Sequence, residues 1–149
     1  MNIENIRRLA LKMRRLRHEE HYDQGEWVRQ TSCGTAACLA GHAAMLAGAK
    51  LKIHACQCGC GGPSGGPGYS CNLDGKDNAI ADVARKFLGL TNEQASLLFS
   101  ASPATAWPSE FRTRWVEAKF SLNNERPSRI AADLLTALAD GKVKLGSQR

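Results

Sequence analysis

Six cysteines and four histidines are the side chains of this 149-residue chain best suited to metal binding or covalent chemistry. Two stretches hold most of them. The first is Cys33-Gly-Thr-Ala-Ala-Cys38-Leu-Ala-Gly-His42-Ala-Ala. Read as a helix, it sets Cys38 and His42 four residues apart, so both project from one face at the spacing of a ligand pair. Cys33 then falls beside the first helical turn, where unpaired N–H groups and the helix dipole favour thiolate over thiol. Three uses are open to Cys33: metal ligand, reactive nucleophile, or small buried hydrophobe.

The second stretch runs from Ala55-Cys56-Gln-Cys58-Gly-Cys60 through a run of Gly and Pro to Cys71. So many Gly and Pro residues break both helix and strand, and residues 55–72 read as a loop insert. A long loop inside a compact domain is usually functional or disordered. Three thiols alternating with other residues, and a fourth beyond a flexible segment, can wrap one metal ion. Four thiolates around tetrahedral zinc is the standard closed structural site. The expected ligands are therefore Cys56, Cys58, Cys60 and Cys71, although the spacing is not that of paired C-x-x-C knuckles. His54 is a substitute for one thiol, and Cys33, Cys38 and His42 form an alternative set that a loop cysteine would complete. Zinc binding would supply the order that the loop's composition withholds. His18, His21 and Asp23 are ligands by type, but their polar setting reads as exposed surface.

A catalytic use of Cys33 needs a base. Gln30-Thr-Ser-Cys33-Gly resembles the nucleophile segment of papain-like and bacteriocin-processing cysteine peptidases, whose general base is a histidine far downstream. This chain has no histidine after His54. His42 or His54 would have to serve, and on a shared helix His42 stands more than two turns from Cys33. The enzyme reading therefore stays second to a binding role.

The elements that must position these residues read as helices. Ile3, Ile6, Leu9, Ala10, Met13 and Leu16 recur at three- and four-residue spacing, which predicts an amphipathic helix from Ile3 to about His18. Arg8, Lys12 and Arg15 line its other side, either as a solvated face or as a phosphate-contacting stripe whose affinity would fall with salt. Small residues from Ala36 to Gly48 mark the Cys38–His42 segment as a buried central helix capped by Thr31 or Ser32, and Trp27 reads as a core anchor. Asp74 or Asp77 caps a helix through Leu88 that stops at Gly89, and Thr91-Asn-Glu-Gln94 is a capping box for the next. Pro103 and Pro108 bound a loop around Trp107. Further helices follow Ser109 and run from Pro127 to Gly141. No strand alternation stands out. The expectation is an all-α fold: one compact bundle of five or six helices spanning residues 1–149.

The pair around Gly89 resembles a helix-turn-helix, but Arg85 stands where a small residue belongs. Its second helix would present Asn92, Glu93 and Ser96, with no Arg or Lys to reach bases or phosphates. Two packed core helices explain those residues better.

Net charge of +6 suits an acidic protein surface or nucleic acid as partner. Arg, Lys or Gly interrupts every apolar run, so no membrane span is expected, and the N-terminal pattern is not that of a secretory signal. A cytoplasmic location is the expectation, where even cysteine numbers point to metal or chemistry before disulfides.

His21-Tyr-Asp23 with Trp27, Cys33-Gly-Thr-Ala-Ala-Cys38-Leu-Ala-Gly-His42-Ala and Leu88-Gly-Leu-Thr-Asn-Glu-Gln-Ala-Ser-Leu-Leu-Phe99 together resemble a family of small uncharacterised bacterial and phage proteins. That family carries a C-G-T-x-x-C-x-x-G-H-A signature, and the resemblance spans most of the chain. It implies no named activity. A phage origin would make inhibition of a host system a natural role. The cysteine-rich loop departs from the family pattern, so its site would be particular to this protein. The leading expectation is a small zinc-stabilised binding or regulatory module.

Overall fold

In a computed structural model the described residues are 1–16, 22, 24, 28–31, 34–54 and 68–145. They form α1 (Ile3–Arg14), β1 (Val28–Thr31), β2 (Gly34–Ala37), α2 (Leu39–Leu46), β3 (Lys50–His54), β4 (Gly68–Leu73), β5 (Lys76–Asn78), α3 (Ile80–Leu88), α4 (Asn92–Leu98), α5 (Pro103–Ala106), α6 (Ser109–Lys119) and α7 (Pro127–Ala139). The fold is mixed, not all-α as the sequence suggested: β1 and β2 pair antiparallel, and β3, β4 and β5 make a second antiparallel sheet in that order.

Two signals explain the correction. Asp74 and Gly75 both have positive φ, 52° and 78°, between the paired residues Leu73 and Lys76. That is the two-residue turn which Asp-Gly favours, because its twist matches the flanking strands. Asp74 and Asp77 therefore serve a hairpin, and the residue that caps α3 is Ala79. The second signal runs the other way. Ala36 and Ala37 favour a helix, yet the backbone of Gly34–Ala37 pairs with Val28–Thr31, and cross-strand pairing overrides intrinsic preference. α2 consequently begins only at Leu39, with Cys38 as its N-cap, while Thr31 ends β1. The expected insert over 55–72 also shrinks, since β4 takes up residues 68–73 and pairs His54 with Gly68.

The main packing joins the two ends of the described chain. α1 lies on α7, burying Ile6, Leu9 and Met13 among Ile130, Leu134 and Leu138. Full burial of one such side chain contributes about 1.5–3 kcal/mol. α2 packs against α3, and its small residues Ala40, Gly41, Ala43 and Ala44 are all buried, as a close helix approach requires.

The α3–α4 junction follows its sequence signals closely. Thr91 and Gln94 form the expected capping box of α4. Gly89, at φ 62°, closes α3 with Leu90 N–H bonded to the Arg85 carbonyl, the Schellman arrangement. The start of α1 docks there, Asn2 N–H donating to the Leu88 carbonyl at 2.7 Å and Asn5 Nδ2 to the Phe87 carbonyl at 2.7 Å. Buried Gln24 ties further ends together: its Oε1 accepts from Tyr22 Oη and from Leu39 N–H at the start of α2, while Nε2 donates to the Leu98 and Ser100 carbonyls.

Candidate functional site

The sequence-predicted residues fall in different places. Cys38 and His42 do sit four apart at the start of α2, linked by a His42 N–H to Cys38 carbonyl bond of 3.0 Å, but both are buried in the core. Cys33 lies outside the described residues. Because β2 intervenes between it and α2, the argument from a helix N-terminus passes from Cys33 to Cys38. Cys56, Cys58 and Cys60 also lie outside the described residues, in the connection from β3 to β4, as do His18, His21, Asp23 and Trp27. His54 ends β3, with its side chain outside the described set.

Cys71 occupies the middle strand of its sheet opposite Leu51 and Asn78, fully buried, with its thiol 3.6 Å from the Asn78 carbonyl. Burial first, and then the nearby Asp77 carboxylate, push its pKa up, which holds it as a neutral thiol. A metal ligand must be a thiolate, so this environment suits core packing better than coordination. Among the described residues no group of three or more His, Cys, Asp or Glu side chains is gathered to hold a metal ion.

The basic stripe on α1 is thinner than its sequence implied. Arg8 donates to Asn5 Oδ1 and lies over the Phe87 ring at 5.6 Å, Lys12 is half-buried, and Arg15 is exposed. The partial burial of Lys12 lowers its pKa by desolvation.

A different cluster emerges where α1, α6 and α7 meet. A cleft of about 310 Å³ is lined by Arg14, Arg114, Asn124, Glu125, Arg126, Arg129 and Asp133. Arg114 forks onto Glu125, Nε reaching Oε1 at 3.1 Å and Oε2 at 3.0 Å, and sends Nη2 to Asp133 Oδ2 at 2.8 Å. Arg14 takes the other oxygen, Oδ1, of Asp133 at 2.7 Å. These contacts raise the Arg114 pKa further, mainly through Glu125 and then Asp133, and the Arg114 hydrogen bond lowers that of Glu125. Arg126 donates to the Leu16 carbonyl at 2.9 Å. Arg129, one turn further along α7, is exposed and has no ion pair or side-chain hydrogen bond among the described residues.

Sequence reasoning missed this cleft because its arginines are scattered from position 14 to position 129 and only the packing of α1 on α7 gathers them. The available signal was local: Arg126-Pro-Ser-Arg129 opens a helix, with Asp133 one turn on from Arg129. Such a constellation orients and holds anions, since guanidinium forks match carboxylate and phosphate oxygens. No family model, curated protein or solved structure matches the chain.

Proposed function

We propose that the chain is a binding module that recognises an anionic partner, an acidic protein surface or a nucleic acid, through the cleft between α1, α6 and α7. The observation that carries this reading is the meeting of four arginines in one cleft, beside two carboxylates among the described residues. Two of those arginines are held in place by the carboxylates, which reduces the ordering cost of binding. The net charge of +6 supports it by drawing acidic partners to the surface. Burial of Cys38 and His42 favours binding over nucleophilic chemistry at α2, because a nucleophile must meet its substrate.

The test is fluorescence anisotropy of a labelled single-stranded oligonucleotide and a labelled polyglutamate peptide, from roughly 50 to 200 mM salt. One of them binds with an affinity that falls steeply with salt, and Arg129→Glu weakens it. Failure of both to bind overturns the reading.

Zinc remains part of the proposal as a structural support. Three cysteines fall within the connection between His54 and Gly68, which pair in register, so a metal held there would close the β3–β4 hairpin. Its measure is the zinc content of the purified protein, and a metal-free protein of unchanged stability removes it.

A further inference from the structure

The four cleft arginines are not equivalent. Arg14 and Arg114 are committed to the two oxygens of Asp133, and Arg114 also grips Glu125, so both guanidinium groups are fixed in direction. Each guanidinium has five N–H donors, and these contacts engage only some of them. Arg129 has no such commitment among the described residues and stands one turn from Arg126 on α7. Among the described residues the carboxylates that line the cleft are Glu125 and Asp133, beside four arginines.

We infer that this cleft binds a single phosphate group, either inorganic phosphate or a phosphate monoester, with Arg129 as the residue that closes on it. The inference rests on the anion-binding reading above and gives its ligand a chemical class. A carboxylate is planar and offers two oxygens, which one arginine fork satisfies. Donors arriving from α1, α6 and α7 converge from three directions, which suits the three terminal oxygens of a tetrahedral phosphate. A phosphate monoester has about two negative charges at pH 7, which a cluster of guanidinium groups suits. The cleft volume of about 310 Å³ is at the small end of ligand sites, enough for one phosphate group and its immediate substituent.

The experiment is isothermal titration calorimetry of the full chain with inorganic phosphate, and with acetate at matched ionic strength as the planar control. Phosphate saturates one site per chain and acetate does not. Arg129→Ala weakens phosphate by about tenfold, the loss of one charge-assisted contact, and Arg129→Lys restores part of it. Arg129 is exposed and unpaired among the described residues, so these variants keep the wild-type circular dichroism spectrum. Arg8→Ala removes equal charge outside the cleft and leaves phosphate binding unchanged; an equal loss from it would reduce the effect to general electrostatics and overturn the assignment.

Two oligonucleotides, with and without a 5′-terminal phosphate, separate the sources. Preference for the phosphorylated end assigns the group to a nucleic-acid terminus, and no preference with free phosphate still bound assigns it to a small molecule. If oligonucleotide or polyglutamate binds while phosphate neither binds nor competes, the phosphate assignment fails and the broader anion reading stands. If no anion binds, both fail.

Discussion

Asp133 Oδ2 accepts from Arg114 Nη2 at 2.8 Å, while the other oxygen of the same carboxylate is 2.7 Å from Arg14. One side chain of α7 thus joins α6 to α1. About a third of each of Arg114 and Asp133 remains exposed, so solvent screens the pair and each contact is worth less than a buried one. Asp133→Ala breaks two bridges at once, leaving Arg14 without its counter-charge and Arg114 with Glu125 alone. The expected cost is about 1–2 kcal/mol, read as a lower urea midpoint with an unchanged slope.

Glu125 contributes a pH dependence with a definite sign. Arg114 lowers its pKa in the folded chain, so its stabilisation is fully present above the ordinary glutamate value of about 4.3 and is lost as pH falls through the depressed value. Urea unfolding of wild type and Glu125→Gln across the acid range measures this. The gap between the two proteins narrows below about pH 4, and a gap independent of pH would show that the ion pair does not drive it.

Gly89 combines a left-handed backbone with a close approach. A Cβ there would lie 2.9 Å from the backbone nitrogen of Asn2, at φ 62°. Gly89→Ala therefore strains α3 and pushes the start of α1 away from the Leu88 carbonyl. The expected loss is about 2 kcal/mol, combining the αL penalty with the contact that must give. Thermal unfolding measures it as a drop of roughly 4–8 °C for a chain of this size. Gly48 has positive φ too but meets nothing within 4 Å, so Gly48→Ala shows the backbone part alone.

Cys71 is expected to behave as a core residue. Cys71→Ala costs about 1 kcal/mol from lost burial and leaves the zinc content of the protein as it was. A fall in zinc content would make Cys71 a ligand after all. Because burial raises the Cys71 pKa, its contribution is whole below the unfolded thiol value of about 8.5 and declines as pH rises toward the folded one. The alanine variant lacks that alkaline decline.

How legible the fold was depended on the distance over which each signal acts. The stop at Gly89, the capping box at Thr91 and Gln94, and the long C-terminal helix from Pro127 are set within four or five residues, and each stands where its pattern placed it. The hairpin at Asp74-Gly75 is equally local, with Tyr69, Cys71 and Leu73 alternating with polar residues beside it, but the Gly/Pro-rich run just before them makes the whole segment read as loop. β2 was a different failure. Nothing within Gly34-Thr-Ala-Ala announces a strand, and its pairing partner alone decides it. The cleft belongs with this second kind, because Arg14 gains its meaning from Asp133 and from nothing near it in sequence.

The partnership of α1 with α7 also bears on the order of events during folding. Arg14 and Asp133 are 119 residues apart along the chain, so their contact closes one of the largest loops the molecule contains. Such closures are slow to reward the entropy they consume, and topologies rich in them fold late at those contacts. A partly folded species with α2, α3 and the sheet in place would hold no cleft. Phosphate binding, if kinetically resolved during refolding, should therefore appear with the slowest phase, which makes the ligand a reporter for completion of the native chain.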